Sequence, residues 1–292
     1  MDYINKLTFT QKLKNYKKHP FSFLAYILVL LSAVITVFIL FFIIIYILAK
    51  GIPNLKPELF EFKYTSENVS MMPAIINTFT MVFMTLIIAV PVGVFSAVYL
   101  VEYAKRGNRL VKAVRLTTET LQGIPSIVFG LFGYLFFNIT FGWRYSMLAG
   151  AITLAMMVLP LIMRTTEEAL IAVPDSYREG SFGLGAGRLR TVFRVVLPSA
   201  IPGILSGVIL AIGRIVGETA ALIYTSGTVA GIPKTIMSSG RTLSVHMYTL
   251  LSEGLYTNEA YATAVVLLVL VLLINGLSNL AAKKLTGGAK GE

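Results

Sequence analysis

Six apolar stretches in a chain of 292 residues, running approximately over 21–49, 73–101, 120–141, 145–163, 199–225 and 260–282, leave little choice of fold. A crossing of the bilayer needs about 20 such residues, because the hydrocarbon core is ~30 Å thick and a helix rises 1.5 Å per residue. Backbone polar groups in lipid must be satisfied within the protein, and runs of this length do so as helices. Hydrophobic residues make up 56% of the chain and charged residues 13%, about half the charged share usual in soluble domains, so a soluble fold is excluded. The expectation is an all-α integral membrane protein with six transmembrane helices. The third and fourth are divided only by a turn at Phe141 to Arg144, and the second is diluted by Asn77, Thr78, Thr80 and Thr85. The first follows Lys12, Lys14, Lys17 and Lys18 but is too long for a cleaved signal, so it reads as a retained signal anchor at 21–49 after a segment at 1–20.

Charge sets the orientation. With a cytoplasmic N-terminus, the inner segments hold the lysines before the first span, then Lys105, Arg106, Arg109, Lys112 and Arg115, then Arg164, Arg178, Arg188, Arg190 and Arg194, and finally Lys283, Lys284 and Lys290. Lys50, Lys56, Lys63, Arg144, Lys234 and Arg241 fall outside. The positive-inside rule therefore predicts both termini, the 164–198 loop and the 283–292 tail in the cytoplasm of a bacterial or archaeal plasma membrane. The net charge of +11 flanks spans rather than forming an aromatic-laced stripe, which points to lipid headgroups and away from nucleic acid.

Several chemistries drop out. Cysteine is absent, so no disulfide, thiolate metal site or cysteine nucleophile exists. His19 and His246 stand apart from any ligand-spaced carboxylate and read as surface residues, leaving no metal site. No Gly-x-x-x-x-Gly-Lys-Ser/Thr loop occurs, and no nucleophile, base and metal set suggests an enzyme. The chain cannot hydrolyse ATP alone.

The 164–198 loop is charged, punctuated by glycine and too short to be a domain. Ser176 and Glu179 have capping-box spacing after Pro174, and Gly183, Gly185 and Gly187 are available to end a helix, which predicts an exposed helix from Ser176 to Leu184 with Gly185 left-handed. Glu179, Gly185, Val195, Leu197 and Pro198 together resemble the EAA signature of ABC-importer permeases. Gly180 and Ser181 stand where that signature has two alanines, and Val195 where it has isoleucine. The resemblance implies a type I ABC-importer permease architecture over 70–282, with this helix docking into a separate ATPase subunit that binds ATP and magnesium; no cofactor is implied for this chain.

The fifth stretch carries a second constellation. Gly203, Gly207, Ala211, Arg214, Glu218, Ala221 and Thr225 recur at three or four residues, which would place them on one helix face. The small residues allow close helix approach. Two charges within a span cost about 2.5–3.5 kcal/mol each on insertion scales, so they must face protein or water. A structural Arg214–Glu218 pair and a substrate-facing cation both satisfy this. Gly213-Arg214-x-x-Gly217-Glu218-Thr219-Ala220 is similar to the corresponding helix of phosphate-specific ABC permeases, as are 164–170, Gln122 to Ser126 with Phe129 to Gly133, and Val245 to Tyr248, the last closer to the PstA type than to the PstC type. By that resemblance the substrate is phosphate, the pathway residues are Arg214, Glu218 and Arg164, and the partners are a PstC-like permease, a PstB-like ATPase dimer and an external phosphate-binding protein docking on 50–72 and 226–258. A permease for another small oxyanion, or a secondary transporter or channel, is the alternative, though only Glu218 lies deep in a span as an ion-coupling carboxylate would. Gly123 and Pro125 bend the third stretch, either as packing or as part of a gate.

Overall fold

The computed structural model describes residues 20–287 except residue 106, and contains no strand among them. The lysine-rich segment before Pro20, His19 and the last five residues lie outside the described residues. Two compact units divide at Lys50/Gly51. The described part of the first is α1, a continuous helix over Pro20–Gly51 whose last residue falls at the division and whose composition is apolar on every side. Phe38, Phe42 and Tyr46 stack in series along it, with ring centroids 6.3 Å apart at each step.

The second unit holds α2 (Met72–Tyr103), α3 (Arg109–Gln122), α4 (Ser126–Thr140), α5 (Met147–Ile171), α6 (Asp175–Gly183), α7 (Arg188–Gly217), α8 (Ala220–Thr225), α9 (Leu243–Glu253) and α10 (Thr257–Gly287). Among the described residues five helices are long and apolar enough to cross a membrane alone: α1, α2, α5, α7 and α10. The sixth crossing exists only if α3 and α4 are counted together, and these meet at 103°.

That bend falls where Gly123 and Pro125 are expected to bend the third stretch, and it is sharp enough to break the helix. Gly123 donates to the Thr120 carbonyl and Pro125, without an N–H, sits extended at φ −59° and ψ 142°, so the helix cannot continue. α3 therefore lies outside the apolar stretch and is amphipathic: Val111 is buried while Arg109, Lys112, Arg115 and Glu119 are exposed. The apolar arm of the bent pair starts at Ser126, not at 120.

Helix α5 is the most buried of the membrane helices and packs against α2, α3, α4, α7 and α8. Its neighbours reach it through small residues, as the weak hydrophobic drive between helices in lipid requires. Gly203 and Gly207 of α7 lie against Ala169 and Thr165, and Gly93 of α2 against Ile162. Gly130 of α4 lies against α8, where an added Cβ would stand 2.8 Å from the Ala221 Cα. Met81, Met147, Leu154, Met157, Ile215 and Leu222 fill the centre.

The polar residues that dilute α2 pin the segments at its Met72 end. Asn77 Nδ2 donates to the Gly231 and Arg241 carbonyls, each at 3.1 Å, and Thr78 Oγ1 accepts from the Leu243 N–H at 2.8 Å. His246 is fully buried there in α9, which corrects its reading as a surface residue: α9 packs against α10 and α2 rather than sitting in an open loop. Tyr64 meets the His246 ring edge-on at 6.2 Å and lies under the Arg241 guanidinium at 4.8 Å.

Candidate functional site

At the Tyr103 end of α2, Pro174 opens α6 with φ −57° and Asp175 occupies the first turn, where a carboxylate suits the helix dipole. No side chain caps the helix, so the expected capping box of Ser176 and Glu179 is absent. Ser176 falls inside the first turn rather than before it, and both side chains are exposed. The other terminus is fully built. Gly185 has φ +81° and donates to the Phe182 carbonyl at 2.9 Å, while Ala186 donates to the Ser181 carbonyl at 3.1 Å. This crossed pair is a Schellman motif, and the left-handed residue at its centre favours glycine.

No residue of α6 is fully buried, so something other than apolar packing must hold it. Arg178 does so. Its Nη2 and Nε donate to Glu102 Oε1 at 2.7 and 3.2 Å, Nη2 also to the Leu170 carbonyl at 2.9 Å, and Nη1 to the Val173 carbonyl at 2.8 Å and Asp175 Oδ1 at 3.1 Å. Four of these five contacts tie the helix to the end of α2 and to the chain at the end of α5; the fifth, to Asp175, lies within α6. Sequence reasoning counted Arg178 only as a cytoplasmic charge and passed over Glu102; the available signal was a lone carboxylate ending an apolar stretch opposite a basic loop.

Ser181 Oγ meets Thr191 Oγ1 at 2.8 Å. Val195 and Leu197 lie in α7, with Leu197 packed against a cluster containing Ala97, Leu170, Val173, Val192 and Val196. Pro198 and Glu179 are exposed, and nothing lies within 4 Å of a Cβ built on Gly180. Tyr177, Phe182, Leu184 and Leu189 remain exposed at the tip, Leu184 at 91%.

The second constellation is split. α7 ends at Gly217, and Glu218 is extended at φ −71° and ψ 130°, so Glu218, Ala221 and Thr225 do not continue the face of Gly203, Gly207, Ala211 and Arg214. Glu218 Oε1 instead accepts from the Ala221 N–H at 3.0 Å, starting α8, and its carbonyl accepts from Ser244 Oγ at 2.6 Å. The expected Arg214–Glu218 pair does not form, because the carboxylate is spent on a backbone donor that the helix break exposes. Arg214 is half-buried and makes no hydrogen bond or ion pair among the described residues. Its place in the last turn of α7 puts the guanidinium near the helix's negative end, which favours its charge.

Arg164 is neither with Arg214 nor buried. It lies two turns from the end of α5, with Nε 3.1 Å from Glu168 Oε1, and lines a cavity with Arg115, Glu119, Gln122 and Glu167. Arg115 Nε is 3.3 Å from Glu167 Oε2 across that cavity.

Residues 89–287 match the family model described as "Binding-protein-dependent transport system inner membrane component". A probable ABC transporter permease protein, YqgI, of Bacillus subtilis is 35% identical over 88% of this chain and 94% of its own. The phosphate transport system permease protein PstA of Pasteurella multocida is 34% identical over 91% of this chain and 93% of its own. Among solved structures, a chain of a bacterial alginate ABC transporter in complex with an alginate pentasaccharide-bound periplasmic protein matches with a TM-score of 0.69 at 16% identity, over 93% of this chain and 98% of that one.

Proposed function

Because the chain belongs to the binding-protein-dependent transport system inner membrane component family, we propose that it is the PstA-type permease subunit of an ATP-driven phosphate importer and lines half of the translocation pathway. The relative named PstA supports phosphate as the substrate. The observation that carries the reading is Arg214, a guanidinium at the broken end of a membrane helix with no counter-ion among the described residues. A membrane-embedded charge left unpaired is costly unless an anion or water meets it. The planar fork of arginine matches phosphate oxygens and stays charged under burial. Interrupted membrane helices are a common way to present both charge and free backbone groups to a substrate. Glu218, by starting α8, keeps the break open rather than neutralising the cation.

Transport then follows as alternating access. The α6 tip, with Tyr177, Phe182 and Leu184 exposed, is the surface offered to a separate ATPase subunit, which supplies nucleotide and magnesium. Closure of the ATPases pushes α6, and the Arg178–Glu102 bond passes the displacement to α2, while the contiguous chain passes it to α5 and α7. A heteromeric permease partner and an external phosphate-binding protein complete the assembly, with α6 and both termini on the cytoplasmic side.

The test is phosphate uptake by a reconstituted complex carrying Arg214→Gln. Uptake is expected to vanish while the complex assembles and hydrolyses ATP. Retention of uptake at near wild-type rate would remove Arg214 from the pathway.

A further inference from the structure

A cavity of about 620 Å³ lies between the end of α2, the start of α3 and the root of α6. Lys105, Lys112, Arg115, Arg178 and Arg188 line it, against the carboxylates of Glu102 and Asp175. Two of these cations are already compensated: Arg178 by Glu102 and Asp175, and Arg115 by Glu167. Lys105, Lys112 and Arg188 form no ion pair among the described residues. They come from three segments that tertiary folding brings together: the α2–α3 loop, the first turn of α3 and the first residue of α7. Arg188 is held in place by its position over the Tyr103 ring, 5.2 Å from the centroid.

We infer that this cavity is a binding site for a phosphoryl group, the anion carried both by phospholipid headgroups of the adjoining leaflet and by free phosphate. Three cations without an ion pair around one concave space suit a phosphoryl group, whose several oxygens can accept from more than one of them at once. The site is separate from Arg214, which lies near the opposite end of α7, and it borders the Arg178 bond that holds α6. An occupant would therefore tether the starts of α3 and α7 to the root of α6 and stiffen it.

Binding is measured on the full chain in nanodiscs in an Arg214→Gln background, so that the proposed pathway cation is silent and transport is not the readout. One arm titrates inorganic phosphate into phosphatidylcholine discs. The other counts phosphatidylglycerol retained per chain from mixed discs by native mass spectrometry. The cavity pair Lys112→Gln with Arg188→Gln is compared with Arg109→Gln and Arg190→Gln, exposed residues outside the cavity that remove the same charge. Saturable binding in either arm, weakened about tenfold by the cavity pair and kept by the control pair, supports the site and identifies the source. No saturable binding in either arm, or equal loss in both pairs, overturns it. Uptake failure with Arg214 intact would count against the transport reading alone.

Discussion

Replacing Arg178 with methionine removes the cation and keeps most of the side-chain volume, so its effect isolates the bond between α6 and α2. Glu102, whose side chain is 9% exposed, would be left without its partner, a situation that costs about 3–5 kcal/mol where a buried pair is broken on one side. Glu102→Gln is milder. Arg178 keeps Asp175 and the Val173 and Leu170 carbonyls, and its two bonds to Glu102 Oε1 become bonds to a neutral acceptor, a loss of about 1.5–3 kcal/mol. The order of damage is thus Arg178→Met above Glu102→Gln, by roughly 1.5–2 kcal/mol. The double change should be less harmful than the sum, since no buried charge is stranded. Because α6 has no fully buried residue to hold it otherwise, the loss should reach the ATPase: if all of it is expressed there, association with Arg178→Met weakens by about two to three and a half orders of magnitude, at 1.4 kcal/mol per tenfold. The assay is a double-mutant cycle on ATPase affinity, measured with the purified permease assembly. An interaction energy below about 0.5 kcal/mol would refute the reasoning, because that is what independent sites give.

Gly185→Val places a β-branched residue at φ +81°, so α6 should lose its Schellman end and ATPase co-purification should fall while membrane insertion is retained; unchanged co-purification removes the turn from the interface. Gly130→Leu should destabilise the α4–α8 contact by more than Gly180→Leu, where nothing lies nearby, and thermal inactivation midpoints of the two variants compare them directly. His246 is held far below its ordinary value, to about 3, first by burial and then by Arg241. The unfolded chain then binds the extra proton between about pH 6.5 and 3, so stability is complete above pH 6.5 and falls as the medium is acidified through that window; His246→Phe should flatten the pH dependence of the unfolding midpoint there, and an unaltered slope would count against it. The chain has no native cysteine, so single cysteines at Glu67 and Thr235, both exposed, should react with an impermeant reagent on intact cells while one at Lys105 should not; the reverse pattern inverts the orientation.

The membrane helices were legible because apolar length in lipid tolerates few readings, and the small residues Gly203 and Gly207 did mark a close helix contact with α5. What the sequence could not carry was the competition for hydrogen bonds. Glu218 has the spacing of an i,i+4 partner for Arg214, yet a helix break turns it toward the Ala221 N–H. Ser176 and Glu179 have capping-box spacing, yet Pro174 starts the helix one residue earlier. Arg178 and Glu102 are far apart in sequence and share no periodicity, so their bond belongs to tertiary structure alone. His246 was misplaced for a similar reason: a loop between two apolar stretches was read as solvated, whereas α9 folds back onto α10.

The sharp corner between α3 and α4 also bears on how the chain enters a membrane. From Ser126 to Thr140 the apolar arm is at most about 22 Å long at 1.5 Å per residue, since Tyr134–Thr140 is π-helical and rises less, at least about 8 Å short of the ~30 Å hydrocarbon layer. A segment this short inserts poorly on its own, and the turn of Phe141 to Tyr145 joins it directly to the longer α5. The two should therefore enter as a hairpin, with α5 providing the drive. Once inserted, such a mismatch should thin the surrounding lipid around α4 relative to that around α2 or α10. Bilayers of longer acyl chains should depress the folded yield of this chain, and the depression should begin at α4.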